Sequence, residues 1–269
     1  MPKSPILLRL LVLLLLCITQ QVQAQSKVTA SAAIWPELQV TFGAGEHGIF
    51  FFQNQYRINT DSRFNDFREK GLLSNFERIQ VALGYEHAFS DHWRSGIVWR
   101  HAAEDFPSSN FYGLFLRHSG AIKSLYLNKQ LLTEYVTRED QQPTVRTYLL
   151  AEVGKQFQIR SHRFTPSLSL DAGIFSRFAK EETTAEERFI DRTRLRLNVT
   201  YEATPSFHIT PYFMRQTDRY YVEVPPVYDE NDVLVTNGYR TKRNRITPVI
   251  GIELKYQIKH TLTPASFAY

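Results

Sequence analysis

A single cysteine in 269 residues, at position 17, sits where it does not outlast export. The opening MPKSPILLRLLVLLLLCITQQVQAQS carries Lys3 and Arg9 ahead of an apolar run from Leu10 to Ile18, and closes on Val22-Gln23-Ala24. That pattern reads as a secretory signal peptide over residues 1–24, too short to span a bilayer and ending in a small residue at the cut. Acylation at Cys17 requires a small residue before it, and Leu16 is bulky. The mature chain, 25–269, then has no cysteine, which excludes thiol and disulfide chemistry and leaves sheet closure to hold the fold. No later stretch approaches about 18 consecutive apolar residues, so helical membrane spans are excluded. The eight histidines are scattered, with no H-E-x-x-H pair and no cluster at zinc spacing, so no metal or cofactor is expected. Removing Lys3 and Arg9 lowers the formal charge from +5 to +3. With no basic recognition motif, that weak bias gives no nucleic-acid partner.

What the chain does have is alternation. In RTRLRLNVTYE, residues 192 to 202, Arg192, Arg194 and Arg196 fall two apart, with Leu195, Leu197, Val199 and Tyr201 on the other parity. Side chains of a strand alternate between faces, so one face is cationic and the other apolar. A soluble sheet turns the charge to water; a membrane barrel turns it to the lumen and the apolar side to lipid. The same pattern sets Ile79, Val81, Leu83 and Tyr85 against Arg78 and Glu86, and Trp93, Ile97 and Trp99 against Arg94 and Arg100. Leu149, Ala151 and Val153 oppose Arg146 and Glu152, while Leu168, Leu170 and Ile174 oppose Asp171. The last stretch sets Ile246, Pro248, Ile250, Ile252, Leu254 and Tyr256 against Arg245 and Glu253, with Pro248 predicting a local bulge or a missing ladder bond.

With weaker runs at 34–42, 48–58, 110–118, 122–138 and 206–217, eleven strands are predicted, many of them long enough to cross a bilayer at a tilt. Connections run short against medium or long, as in barrels with short periplasmic turns and longer extracellular loops: long at 59–74, 177–189 and 218–242, medium at 103–109 and 139–144. The fold class is therefore all-β: one antiparallel, up-and-down transmembrane β-barrel of ten to twelve strands. Bacterial single-chain barrels have even strand numbers. Segment 34–42 is then expected along the rim or in the lumen, or else a twelfth strand lies within 218–242. Aromatics, 36 residues, suit bilayer interfaces, and the slightly negative mean hydropathy is compatible with strands that show lipid only every other residue.

Two motifs have bland explanations. GAGEHG at 43–48 matches a dinucleotide-binding fingerprint, but aromatic strand sequence follows where a helix is required, so it reads as a Gly-rich hairpin turn. The glycosylation pattern Asn198-Val199-Thr200 lies inside a predicted strand. A Ser/His arrangement on a barrel wall has Ser95, Ser167, His87, His101 and His208 as candidates, with no local nucleophile motif to support it.

The polar ladder expected to face the lumen comprises Arg78, Glu86, Arg94, Arg100, Arg146, Glu152, Asp171, Arg192, Arg194, Arg196, Arg245 and Glu253. It has two readings: an anion-attracting pathway, or paired arginines and carboxylates that fill a narrow lumen. With these strands, Trp35, and the final N-R-x-x-P-x-x-G-x-x-x-x-Y stretch (Asn244, Arg245, Pro248, Gly251, Tyr256), the chain resembles an uncharacterised outer-membrane β-barrel family of Bacteroidetes-type bacteria. The resemblance implies the fold and the location without an activity. The expectation is a non-enzymatic Gram-negative outer-membrane barrel, a narrow channel or scaffold. Its partners are outer-membrane lipid and the barrel-insertion machinery, for which Tyr256 or Ile258 stands in for a terminal aromatic. The alternatives are a lipid-modifying barrel enzyme and a soluble periplasmic β-barrel that binds a small ligand.

Overall fold

The computed structural model describes residues 26–61, 76–104, 108–139, 141–177 and 188–258. The expected signal peptide, 1–24, lies outside these. The described chain is all strand and turn, with no helix among those residues. In order, the strands are β1 (Ser26–Thr29), β2 (Ala33–Ala44), β3 (Gly48–Asn59), β4 (Phe76–Ala88) and β5 (Trp93–Ala103). Then come β6 (Ser109–Ile122), β7 (Leu125–Arg138), β8 (Gln141–Gly154), β9 (Phe157–Ile159) and β10 (His162–Arg177). The last are β11 (Ile190–Thr204), β12 (Phe207–Val224), the small pair β13 (Val227–Tyr228) and β14 (Leu234–Thr236), and β15 (Tyr239–Ile258).

Eleven of them, β2 to β8, β10 to β12 and β15, form one closed sheet in chain order. Every neighbouring pair is antiparallel except the closure, where β15 meets β2 in parallel from Val249 opposite Ala33 to Ile258 opposite Phe42. Segment 34–42 is thus a wall strand. It lies neither along the rim nor in the lumen, and the parallel closure makes a twelfth strand unnecessary. The stretch 218–242 supplies extensions of β12 and β15 and the β13–β14 hairpin instead.

β1 prolongs the same edge, pairing in parallel with Arg243 to Ile246. Between Thr29 opposite Ile246 and Ala33 opposite Val249 the first strand carries one more residue than its partner. This is where Pro248 acts. The β12–β15 register runs unbroken through Arg215 opposite Pro248, so the interruption falls on the other edge, between β1 and β2. A proline without an N–H is tolerated where the ladder is already broken.

One end of the barrel carries tight turns. Residues 45–47 join β2 to β3, with Gly45 at φ 73°, the left-handed conformation that glycine adopts freely. The GAGEHG stretch is the hairpin turn expected. The β6–β7 turn is Lys123-Ser124, with Lys123 at φ 56°, so residues 119–122 belong to β6 and the predicted strand 122–138 begins at 125. At the opposite end lie the end of β3 and start of β4, the end of β10 and start of β11, and residues 225–238 between β12 and β15, together with the start of β2. The expected alternation fails at 139–140, because β8 reaches back to Gln141 and leaves no medium loop.

Parity sorts the side chains as the sequence implied. Leu83, Ile97, Leu114, Leu197, Phe213 and Ile250 point outward, Leu114 67% and Ile250 58% exposed. Their inward neighbours are buried and mostly polar: Gln39, Gln53, Glu86, Arg117 and Glu134. The exterior is apolar and the interior charged, the reverse of a water-soluble sheet.

Candidate functional site

The interior is a continuous set of ion pairs and hydrogen bonds hung on inward parity positions. Toward the turn end, Arg117 of β6 donates from Nη1 to Glu86 of β4 at 2.7 Å, and Arg94 of β5 donates to the other oxygen at 3.2 Å. Arg117 Nε and Nη2 donate to Gln130 Oε1 at 3.1 and 2.9 Å. In mid-barrel the Tyr212 hydroxyl and Gln53 Nε2 donate to Glu37, tying β12 and β3 to β2. Arg196 lies over the Tyr212 ring at 3.7 Å and donates to Glu253 at 3.0 Å across β12. Toward the loop end, Arg192 pairs with Asp218 at 2.7 Å, Arg194 lies 3.6 Å from Asp171, Arg100 pairs with Glu134, and Arg78 with Glu104. Buried charges persist when paired and hydrogen-bonded, and the forked guanidinium fits a carboxylate on a neighbouring strand.

Aromatic rings fill the remaining space, and glycines in the wall receive them. A Cβ on Gly84 would collide with Phe51, on Gly96 with Phe115, on Gly251 with Tyr212, and on Gly154 with Tyr126. Each ring lies against bare backbone of a neighbouring strand. Trp35, 4% exposed, sits under the guanidiniums of both Arg57 (4.2 Å) and Arg194 (5.8 Å), so β2, β3 and β11 converge on one indole.

Among the described residues the interior holds a polar cavity of about 100 Å³, lined by Trp35, Glu37, Arg57, Arg146, Glu152, Arg194 and their neighbours. That is room for a handful of waters rather than for a solute stream. Arg57, Arg78, Arg100, Arg146, Arg192 and Arg194 line it from the loop-side halves of their strands. Among the described residues Arg57 and Arg146 have no carboxylate within ion-pair distance. Arg57 Nε donates to Gln55 at 3.0 Å, and Arg146 lies 5.6 Å from the Phe175 ring with its Nε buried and unpartnered.

Of the predicted ladder, Arg78, Arg100, Arg146, Glu152, Asp171, Arg192, Arg194, Arg196 and Glu253 line this cavity. Glu86 and Arg94 face inward but are sealed beneath it with Arg117. Arg245 stands opposite Asp218 on β15, outside the lining. Sequence reasoning missed Glu37, Arg57, Arg117 and Tyr212. Period-two parity along β2, β3, β6 and β12 was the available signal, and it was masked because inward aromatics share the face, Trp35 two residues from Glu37 and Phe115 two residues from Arg117. The Ser/His candidates do not assemble. The Ser95 hydroxyl donates to the Phe115 carbonyl, Ser167 accepts from Asn198, and His101 and His87 contact Asn110 and Tyr85.

No family model matches the chain, and no curated protein does. Among solved structures the chain is similar to one described as the NanC porin in a rhombohedral crystal form, with 16% identity, 78% of this chain and 90% of that chain covered, and a TM-score of 0.39. The class rests on the molecule's own geometry: a closed eleven-stranded β-barrel with an apolar exterior and a charged, largely filled interior.

Proposed function

We propose that this protein is a Gram-negative outer-membrane β-barrel whose lumen is held shut by its own ion pairs, and that it serves as a scaffold for the segments at its loop end. The observation that carries this is the filled interior: among the described residues the inward side chains from β2 to β15 are largely buried, and the polar cavity between them holds only a few waters. The belt of exposed Leu, Ile and Phe supports the location, since hydrocarbon is the solvent in which such an exterior is stable and closure pairs both edges of the eleven wall strands. Lipid is then the surrounding partner. The barrel-insertion machinery meets the last strand, where Tyr256 and Ile258 face outward. The proposal assigns no catalytic chemistry and includes membership of the uncharacterised family that Trp35, the Arg192–Arg196 ladder and the final strand resemble.

A second reading has its own observation. Arg57 and Arg146 leave the cavity with cationic groups uncompensated at ion-pair range, which suits a narrow anion path. Planar-bilayer recording of the purified protein decides. No steady current is expected; an anion-selective current that falls on Arg194→Ala establishes the path instead, and a large ohmic current of either selectivity overturns the closed lumen. Cell fractionation tests the location, and release into a detergent-free periplasmic extract would remove it.

A further inference from the structure

Toward the loop end the apolar exterior carries a cluster of cationic side chains. Arg215 and Arg219 of β12 are outward by parity, next to Phe213, and they share a groove of about 370 Å³ with Lys27 and Arg188. The register builds it. Lys27 and Arg219 stand on either side of Asn244, and Arg188 Nη1 donates to Asn244 Oδ1 at 2.9 Å, so three cationic side chains gather around one amide. Arg215 lies two outward positions nearer mid-barrel, past Thr217, between Leu195 and Pro248. Leu195 and Ile246 give the groove an apolar floor, and among the described residues no carboxylate lines it. Arg219 feels Arg188 as a like charge and Asp191 and Asp218 as opposite ones. Its Nη1 is buried and donates to no acceptor.

An outward arginine is disfavoured at a bilayer midplane and nearly neutral at the interface, so these residues mark headgroup level at the loop end. Guanidiniums present forked donors that match phosphate oxygens, and an apolar floor directly below accepts the chains attached to that phosphate. We propose that this groove binds the phosphate-bearing headgroup of a lipid in the leaflet around the loop end. The inference rests on the membrane reading above.

The test titrates the purified, detergent-solubilised protein with phosphatidic acid, phosphatidylcholine or inorganic phosphate and reads bound lipid by native mass spectrometry. Wild type is expected to prefer phosphatidic acid, and Arg215→Gln/Arg219→Gln to bind it roughly 30-fold more weakly while keeping its heat-modifiable gel mobility. Lys129→Gln, outward on β7 away from the groove, serves as the control and should bind as wild type does. Equal binding of phosphatidic acid by wild type and the double variant overturns the site. So does equal binding of the two lipids, or displacement of phosphatidic acid by stoichiometric inorganic phosphate. If the double variant loses its gel mobility, Arg215→Lys/Arg219→Lys replaces it: retained preference supports the cationic groove and lost preference supports the fork geometry of the same site, whereas unchanged affinity in single Gln variants at both positions overturns it. A wild-type protein that leaves cells in the detergent-free periplasmic extract fails the membrane reading instead, a result independent of the titration.

Discussion

Arg117 and Glu86 meet at 2.7 Å across an intervening strand, with side chains 0% and 2% exposed. Neither charge reaches bulk water, and Glu86 is shared with Arg94 while Arg117 is fixed by Gln130. Breaking one partner of such a pair strands the other, at a cost of about 3 to 5 kcal/mol. Arg117→Ala is therefore expected to destabilise the barrel by about 3 kcal/mol in urea unfolding from detergent. Replacing Arg117 by Met and Glu86 by Leu together should cost less than the single change.

The aromatic-on-glycine contacts give a second expectation. Gly84→Ala forces Phe51 off its backbone seat and should cost about 1 to 3 kcal/mol, as overpacking does. Combined with Phe51→Ala, the glycine substitution should become nearly neutral. A double-mutant cycle in the same unfolding assay would show coupling of about 1 kcal/mol or more if the ring and the glycine are one unit.

Parallel closure fixes the two ends of the chain. β1 runs beside Arg243 to Ile246 near the loop end of β15, β2 follows from Ala33 opposite Val249, and Ile258 finishes at the turn end opposite Phe42. An epitope inserted at Ser26 and one inserted in 225–238 should be exposed to the same side, and one following Ile258 to the other. Protease shaving of intact cells reads this directly. Shared accessibility of Ser26 and the 258 end would contradict an odd-stranded wall.

The closed lumen also predicts how to open it. Replacing Glu86 and Arg117 together by serine removes the polar seal at the turn end while leaving the wall ladders intact. The expected outcome is a steady bilayer current that wild type lacks. If the current stays absent while the barrel folds, the seal lies elsewhere, and Glu37 and Tyr212 are the next pair to truncate.

Strand identity and facing were legible because period-two alternation is strong wherever one face is apolar and the other charged. Leu195 and Arg196, or Ile252 and Glu253, declare their faces without help. The closure was not legible. An even strand count made residues 34–42 look surplus, whereas a first strand that runs parallel to the last satisfies every ladder with eleven. The inward aromatics were hidden for a related reason: Phe51, Phe115 and Tyr212 carry no charge to declare their face, and the glycines on neighbouring strands that make room for them inside are invisible in a one-dimensional pattern. Loop lengths were overread at 139–144, where strand pairing continues past the point at which alternation fades.

The central claim concerns which face meets hydrocarbon, and site-directed spin labelling of the reconstituted protein tests it most directly. Nitroxides at positions 195, 197, 250 and 252 should collide with lipid-dissolved oxygen and be shielded from an aqueous nickel chelate; labels at 194 and 196 should be shielded from both. Aqueous access at 195 and 250, with no preference for the lipid-phase reagent, would contradict the account.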